Sequence, residues 1–225
     1  MADDKSQEER NSVIRKKMLD MQNIKVEPMP ADSPWLRPAR MTFYQNGSKK
    51  AWDLSRVHDS VAIIVFNITR KKLVFVRQFR PAAYFATLPE KFQDIDTSKY
   101  PLEQGLTLEL CAGIVDKDLP LIEIASIELR EECGYEAPPS AFTHIITYRD
   151  IASTTAKRAV FYVEVTDEMH KHPGGGAESE GELIEVVEMS PQEVNDYISS
   201  GEVQSPSAFL YGVLWFLSNK KDRYS

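Results

Sequence analysis

A chain of 225 residues with 42% hydrophobic side chains can bury the core of one large domain, or of a core domain with a smaller extension. Its formal net charge of −7, from 27 basic and 34 acidic residues, argues against binding to nucleic acid or an anionic membrane through a basic surface. No apolar run is as long as a membrane span and the N-terminus MADDKSQEER lacks the apolar stretch of a signal peptide, so we expect a cytoplasmic protein.

The N-terminal residues 1–34 are predicted to form a polar tail and linker. They are rich in charge, and prolines recur near the end of the segment. Within the tail, Asn11–Met21 could form a short helix. The first folded element of the protein is therefore expected after residue 34.

Residues 35–58 are predicted to form an antiparallel β-hairpin that extends from the main domain. Asn46 and Gly47 stand between two strand-like arms in Arg40–Arg56, and Asn-Gly is the strongest short hairpin signal. Trp52 lies beyond this turn and outside any core pattern. From the residues alone, its simplest role is packing or contact with a second copy of the chain.

The main domain is predicted at 59–225 and begins with two buried strands, Ser60–Phe66 and Lys72–Gln78. Arg80 follows the second strand. An arginine at a strand end is most often solvated, yet its guanidinium offers several donors to phosphate oxygens and keeps its charge at physiological pH. Arg77 is the weaker candidate for the same role.

A long polar stretch between Tyr84 and Glu103 precedes the next predicted strand, Leu106–Ala112. Loops of this length are usually functional or disordered. Because the stretch comes directly before that strand, we expect it near the mouth of any site that forms there.

Three carboxylates share one face of a predicted helix that ends at Gly134. Residues three and four apart are neighbours on a helix, so Glu128, Glu131 and Glu132 lie within about one third of its circumference. Most such runs are solvated acidic faces. Adjacent anions also repel one another unless a cation lies among them, and clustered oxygen ligands suit Mg²⁺ or Mn²⁺. The helix alone leaves both interpretations open.

The C-terminal third of the chain is predicted to contain a glycine-rich acidic loop between strands, followed by two helices. The loop Lys171–Gly181 contains three consecutive glycines and is predicted to be mobile. Glu180 and Glu182 lie at its end and could simply be acidic loop residues. The predicted strands are Val160–Val165 and Leu183–Met189, and the predicted helices are Pro191–Ser200 and Ser207–Asn219.

The stretch GIVDKDLPLIEIASIELREECGY resembles the box of the Nudix hydrolase family, G-x5-E-x7-R-E-U-x-E-E-x-G-U, where U is aliphatic or aromatic. Leu119 and Ile127 depart from it, at the places of a glutamate and an arginine that pair with each other in the family. The segments QFRPA, ELCAG and EECGY are similar to those of the branch that hydrolyses ADP-ribose and nucleotide sugars. The matching box positions are Gly113, Glu128, Leu129, Glu131, Glu132, Gly134 and Tyr135.

The resemblance implies an α/β fold, the Nudix α/β/α sandwich with a mixed sheet, to which the hairpin adds an N-terminal antiparallel β extension. It implies metal binding by a set of oxygen ligands and a general base on the glycine-rich loop, which closes over the site. The base is expected to be Glu180, and the metal ligands are expected to be Glu128, Glu131, Glu132, Glu182 and the backbone carbonyl of Ala112.

Substrate contacts follow from the same resemblance. Arg80 is expected to contact a phosphate of the substrate. Trp52 is expected to stack on the nucleobase across the interface of a homodimer, and Trp35 is the weaker second candidate. Stacking on an aromatic ring tolerates different bases, so these residues do not choose between uridine and adenosine.

The implied function is hydrolysis of the diphosphate of UDP-glucose and related nucleoside diphosphate sugars to a nucleoside monophosphate and a sugar 1-phosphate, with Mg²⁺ or Mn²⁺ as cofactor. An ADP-ribose pyrophosphatase is the first alternative. The departures at Leu119 and Ile127 leave open a second one, a non-catalytic Nudix-like module that binds nucleotide sugars.

Overall fold

The computed structural model describes residues 2–30, 32–33, 35–89, 95–151 and 153–224, so part of the polar 84–103 stretch lies outside the described residues. Its strands are β1 (Arg37–Gln45), β2 (Ser48–Arg56), β3 (Ser60–Asn67), β4 (Lys72–Phe79), β5 (Leu106–Glu109), β6 (Cys111–Ile114), β7 (Thr143–Arg149), β8 (Lys157–Val165) and β9 (Glu185–Met189). Its α-helices are α1 (Ala2–Met18), α2 (Pro81–Phe85), α3 (Leu121–Cys133), α4 (Pro191–Ile198) and α5 (Ser207–Asn219). Single turns of 3₁₀ helix lie at Leu102–Gly105, Pro139–Ala141, Asp167–Met169, Glu178–Glu180 and Lys221–Arg223.

The strands of the described residues form two sheets. β1 and β2 form a two-stranded antiparallel sheet, and the other seven form a sheet with the order β5-β4-β3-β8-β7, in which β6 also pairs with β3 and β9 with β4. β3 and β8 run parallel, whereas the other pairs are antiparallel. The predicted mixed sheet is therefore confirmed.

The central strand β3 supports a hydrophobic core on each face of the sheet. On one face Val61, Ile63 and Val65 are fully buried in a cluster with apolar side chains of α3. On the other face the alternate residues pack with α4 and α5, and the rings of Phe66 and Phe216 lie 4.8 Å apart. A continuous apolar run fits a strand covered on both faces. The predicted α/β/α sandwich is confirmed.

The hairpin β1–β2 turns at Asn46 and Gly47 as predicted. Both residues have positive φ, 51° and 73°, as a tight turn between twisted strands requires. Pairing continues from this turn to Arg37 and Arg56, so the first strand begins earlier than the predicted Arg40. Every residue of both strands is at least partly exposed.

Helix α1 spans Ala2–Met18, in the first half of the segment 1–34 that was predicted to form a polar tail and linker. This helix begins and ends earlier than the predicted Asn11–Met21. It is polar, but it contacts β9, and Met18 is buried. Its tertiary contacts therefore involve mainly polar side chains, which hydrophobic periodicity does not reveal.

Two strands replace the single strand predicted at Leu106–Ala112. The chain leaves β5, which pairs with β4, and enters β6, which pairs with β3. Leu110 lies at the break, and Ala112 lies inside β6. The prediction that Ala112 ends the strand is therefore wrong.

Three smaller differences concern strand ends and elements that the sequence analysis did not predict. β9 begins at Glu185 instead of Leu183. α2 and β7 were not predicted; α2 has only five residues, and most of β7 is exposed. No helix among the described residues has the length and apolar character needed to cross a bilayer.

Candidate active site

A cavity of about 1190 Å³ opens where β4, β5, β6 and α3 meet. The loop before β9, α2 and the segment between α4 and α5 complete its wall. All five glutamates predicted for the site line this cavity, together with Ala112, Arg80 and Trp35. The fold therefore brings together residues from distant parts of the chain.

Helix α3 aims its carboxylates at the cavity because its other face is held in the core. Ile124 and Leu129 are buried there. The helix ends at Gly134, which has φ of 79° and donates its N–H to the Arg130 carbonyl at 3.1 Å. This left-handed end is the one predicted for a glycine.

Glu132 is the most deeply buried of the three helix carboxylates, with 3% of its surface exposed. The backbone N–H of Ala112 donates to its Oε2 at 2.9 Å. Burial raises the pKa of Glu132 to about 8, and the negative charges of Glu128 and Glu182 add to the rise, while the bond from Ala112 opposes it. A charged Glu132 therefore needs a cation beside it.

Glu128 lies against the backbone of Gly113. A Cβ on Gly113 would overlap the Glu128 carboxyl group, so glycine at this position leaves room for that carboxyl group to lie against β6. Burial raises the pKa of Glu128 to about 7, helped by the charges of Glu131 and Glu182 and opposed by that of Lys117. The site thus holds several carboxyl groups that resist being charged together.

We call residues 177–184 the acidic loop. It carries Glu180, which is exposed and faces the cavity, and Glu182, whose Oε2 accepts from the Ala177 N–H at 2.9 Å. The loop closes on itself where the Ile184 N–H donates to the Gly175 carbonyl at 3.0 Å.

The three glycines before the acidic loop pack against the end of α3. Gly175 and Gly176 donate their N–H groups to the carbonyls of Glu132 and Glu131, at 2.9 and 3.0 Å. A Cβ on Gly174 would lie 2.6 Å from the Glu132 carbonyl oxygen and 3.1 Å from the Gly134 nitrogen. The structure thus places the predicted mobile loop against the end of α3, and its mobility stays a prediction.

Arg80 forms a two-bond ion pair with Glu109, a residue that the sequence analysis missed. Its Nε and Nη2 donate to the two carboxylate oxygens at 2.8 and 2.7 Å, and Thr107 Oγ1 donates to the same carboxylate at 2.5 Å. The guanidinium has five N–H groups, so donors remain for an anion in the cavity. The signal for Glu109 was a charged residue inside a predicted buried strand.

The two tryptophans differ in their relation to the cavity. Trp35 lies on its wall with 67% of its surface exposed, and its ring centroid is 6.3 Å from that of His58. Trp52 is 59% exposed on β2, opposite Met41, and is not among the described residues that line the cavity. Within one chain, the structure brings Trp35 to the site and not Trp52.

Three cationic residues near the site have different surroundings. Arg77 donates to the buried Glu185 at 3.3 Å and, unlike Arg80, does not belong to the described lining of the cavity. Arg158 and Lys117 do line the cavity, and Arg158 Nε donates to Ser60 Oγ at 3.0 Å. The sequence analysis missed both, because neither residue stands out from other surface cations.

The donor set fits a hard divalent cation, since all its members are oxygens and their charges oppose one another in a largely buried site. In the part of the chain that the structure describes, no three side chains of His, Cys, Asp or Glu converge closely enough to ligate one ion as they stand. Glu132 and Glu182 each accept a backbone N–H. These side chains would have to turn for an ion to bind.

Comparisons with known proteins identify relatives over most of the chain. No protein-family model matches. Uridine diphosphate glucose pyrophosphatases from Mus musculus and Bos taurus are 37% and 38% identical over 201 residues, with 84% of this chain and 90% of each relative covered. GDP-mannose pyrophosphatase from Enterobacter sp. is 28% identical and covers 68% of this chain and 70% of its own length.

The fold has a counterpart among solved structures. An ADP compounds hydrolase superimposes with a TM-score of 0.58 at 15% identity, with 89% of this chain and 95% of that chain covered. At this identity the likeness concerns the fold alone. It agrees with the α/β/α sandwich that the two hydrophobic cores indicate.

Proposed function

Because the chain belongs to the Nudix hydrolase family, we propose that it hydrolyses the diphosphate of UDP-glucose and related nucleoside diphosphate sugars to a nucleoside monophosphate and a sugar 1-phosphate. The two pyrophosphatases at 37% and 38% identity support this substrate class. The GDP-mannose enzyme supports the broader class of nucleotide sugars.

The observation that carries the proposal is that mutually repelling carboxylates line one cavity together with a partly free guanidinium. Glu128 and Glu132 have raised pKa values because they are buried near other carboxylates, and Arg80 lines the same cavity. A site that only bound a neutral sugar would have no use for this repulsion. A diphosphate accompanied by divalent cations satisfies both the carboxylates and the guanidinium.

Glu128, Glu131, Glu132 and Glu182, with the Ala112 carbonyl, would hold Mg²⁺ or Mn²⁺. A bound cation would supply neutralisation of the charge that develops on the diphosphate. The protein itself orients the substrate. Arg80 retains N–H donors for a phosphate oxygen after its pairing with Glu109, and that pairing fixes the guanidinium plane.

Glu180 is the proposed general base. It faces the cavity from the acidic loop and is exposed, so its carboxylate can accept a proton from an attacking water molecule within hydrogen-bond reach. Glu182 lies on the same loop, where its Oε2 accepts the Ala177 N–H, and is proposed as a metal ligand instead.

The assembly we propose is a homodimer formed through the hairpin β1–β2. A two-stranded hairpin that is exposed on both faces has little stability of its own. Trp52 and Met41 leave 59% and 55% of their surfaces open on paired positions, which a second copy could cover. Trp35 stacks on the nucleobase from the same chain, and Trp52 serves the dimer contact or reaches the partner's cavity.

The proposed location is the cytoplasm. Cys111 and Cys133 are both free and buried in the core, which suits a compartment that keeps thiols reduced.

The test is product analysis with purified protein, Mg²⁺ and UDP-glucose, with GDP-mannose and ADP-ribose in parallel. We expect UMP and glucose 1-phosphate to form faster than AMP forms from ADP-ribose, and EDTA to stop the reaction. Faster cleavage of ADP-ribose than of UDP-glucose would identify ADP-ribose as the preferred substrate. Binding of UDP-glucose without turnover of any substrate would refute the proposed catalytic activity and would support a non-catalytic binding module.

A further inference from the structure

Helix α1 covers the edge of the sheet at the start of β9, directly after the acidic loop. Asn11 Nδ2 donates to the Val186 carbonyl at 2.7 Å, and Asn11 Oδ1 accepts from the Val186 N–H at 3.2 Å. One side-chain amide thus bonds both backbone groups of a strand residue, as a neighbouring strand would. Within the described ranges β9 pairs with β4 alone, so Asn11 occupies an edge that would otherwise be open.

The second contact of α1 is an ion pair with a fully buried carboxylate. Arg15 Nε and Nη2 donate to the two oxygens of Glu185 at 2.6 and 2.5 Å, while Arg77 reaches one of them at 3.3 Å. The Glu185 side chain has no exposed surface. The shorter bonds come from α1, so loss of Arg15 would leave this buried charge poorly compensated.

The third contact lies at the base of the acidic loop. Ile14 Cδ1 is 3.5 Å from the position that a Cβ on Gly175 would occupy, so Ile14 covers Gly175. Gly175 is the residue on which Ile184 closes the loop, and its N–H is held by the Glu132 carbonyl of α3. The base of the loop therefore lies between α3 on one side and α1 on the other.

From these contacts we propose that α1 fixes the acidic loop and so holds Glu180 and Glu182 in the cavity, with Asn11 and Arg15 as positioning residues. Neither residue lines the cavity, so each acts through β9 and the loop base. Without α1 the loop would keep its bonds to α3 but lose those at Glu185 and Val186, the residues that follow it. Glu180 would then spend less time within reach of the attacking water.

The catalytic part of this inference rests on the proposed function, whereas the ordering of the loop does not. Three single variants test it: Asn11→Ala, Arg15→Ala and, as a matched control, Lys17→Ala, which removes a charge from an exposed position of the same helix. Thermal melting shows which variants are folded. Asn11→Ala removes no charge and leaves the ion pair with Glu185 in place, so this variant can still test the proposal if Arg15→Ala does not fold.

The first measurement is hydrogen–deuterium exchange of residues 177–184. We expect exchange about tenfold faster in Asn11→Ala and Arg15→Ala than in the wild type, because the loop opens more often, and no change in Lys17→Ala. Unchanged exchange in folded Asn11→Ala and Arg15→Ala would overturn the proposal.

The second measurement is steady-state kinetics with UDP-glucose and Mg²⁺. We expect kcat to fall about tenfold or more in both variants with KM within about twofold of the wild type, because the loop carries the base and the substrate contacts lie elsewhere. Faster exchange with unchanged kcat would refute the positioning role. A wild-type protein without turnover would refute the proposed function, while the exchange result would still decide whether α1 holds the loop.

Discussion

Replacing Glu132 with glutamine is expected to stabilise the metal-free protein at alkaline pH while abolishing turnover. Burial raises the pKa of Glu132 from 4.5 to about 8. The folded carboxyl group holds its proton more tightly than the unfolded one, so Glu132 stabilises the fold below about pH 4.5, and this contribution is lost as the pH rises to about 8. At about 1.4 kcal/mol per pH unit, the loss is at most about 5 kcal/mol.

Glutamine removes this pH-dependent loss because it carries no charge and keeps an oxygen that can accept the Ala112 N–H. Relaxation and entry of water reduce the full value, so we expect Glu132→Gln to be about 2 kcal/mol more stable than the wild type near pH 9 in EDTA. For a chain of this length that raises Tm by about 4–8 °C. Near pH 5 the two proteins should have similar Tm values, because the wild-type carboxyl is then protonated.

The assay is thermal melting in EDTA across this pH range, followed by addition of Mg²⁺. Glu123→Gln is the matched control, since Glu123 lies in the exposed first turn of the same helix. Mg²⁺ should raise the Tm of the wild type and the control but not that of Glu132→Gln, whose kcat should fall by at least about 100-fold. The reasoning would be refuted if the Tm values of the wild type and Glu132→Gln changed with pH in parallel, or if Glu132→Gln were less stable than the wild type near pH 9.

Three further substitutions probe other parts of the site. Gly113→Ala should lower kcat by about 100-fold and stability by about 1–3 kcal/mol, because the new methyl group displaces the neighbouring carboxylate of α3. Kinetics and thermal melting with and without Mg²⁺ measure both effects, and a wild-type kcat would contradict the prediction. Arg80→Lys should raise KM for UDP-glucose about tenfold with little loss of stability. Arg80→Ala should also destabilise the protein by about 2 kcal/mol, because it leaves the buried carboxylate of Glu109 unpaired. Equal melting temperatures for Arg80→Ala and the wild type would argue against that ion pair. Trp35→Ala should raise KM about fivefold or more and leave the oligomeric state unchanged, while Trp52→Ala should weaken the dimer in light scattering. A weakened dimer in Trp35→Ala with a raised KM in Trp52→Ala would show that the two residues have the opposite roles.

The sequence predicted the elements whose stability comes from apolar packing or from a special backbone conformation. β3 is a continuous apolar run, Asn46–Gly47 needs positive φ, and Gly134 ends its helix in the left-handed region. Such signals lie within a few residues of one another. The sequence reveals these elements because the conformation of each depends on the residues within it.

The features that the sequence did not reveal depend on pairing between distant residues. The pairing of Glu109 with Arg80, the residue directly after β4, is visible only in the fold. Likewise α1 has a polar sequence, and its position depends on Arg15 meeting the buried Glu185. Composition and periodicity carry no information about which charge meets which, so these contacts required the fold.

The roles of the site residues rest on the family resemblance more than on spacing. Spacing placed Glu128 and Glu132 on one face of a helix, but a solvated face would look the same. Burial now separates the two cases, because Glu132 is enclosed and Glu128 is half-buried. The residues Leu119 and Ile127, which replace the ion pair of the family box, are partly exposed, and neither is among the described residues that line the cavity.

Gly134 and Gly174 lie against each other where the loop before β9 meets the end of α3. A Cβ on Gly134 would lie 2.1 Å from the His172 carbonyl oxygen, and one on Gly174 would lie 2.6 Å from the Glu132 carbonyl oxygen, so neither position has room for a methyl group. The end of α3 therefore admits only glycine where the loop crosses it, and the loop admits only glycine where it meets the end of the helix. Among descendants that keep this loop length, a side chain at either position should appear only in lineages that have also rebuilt the chain opposite it.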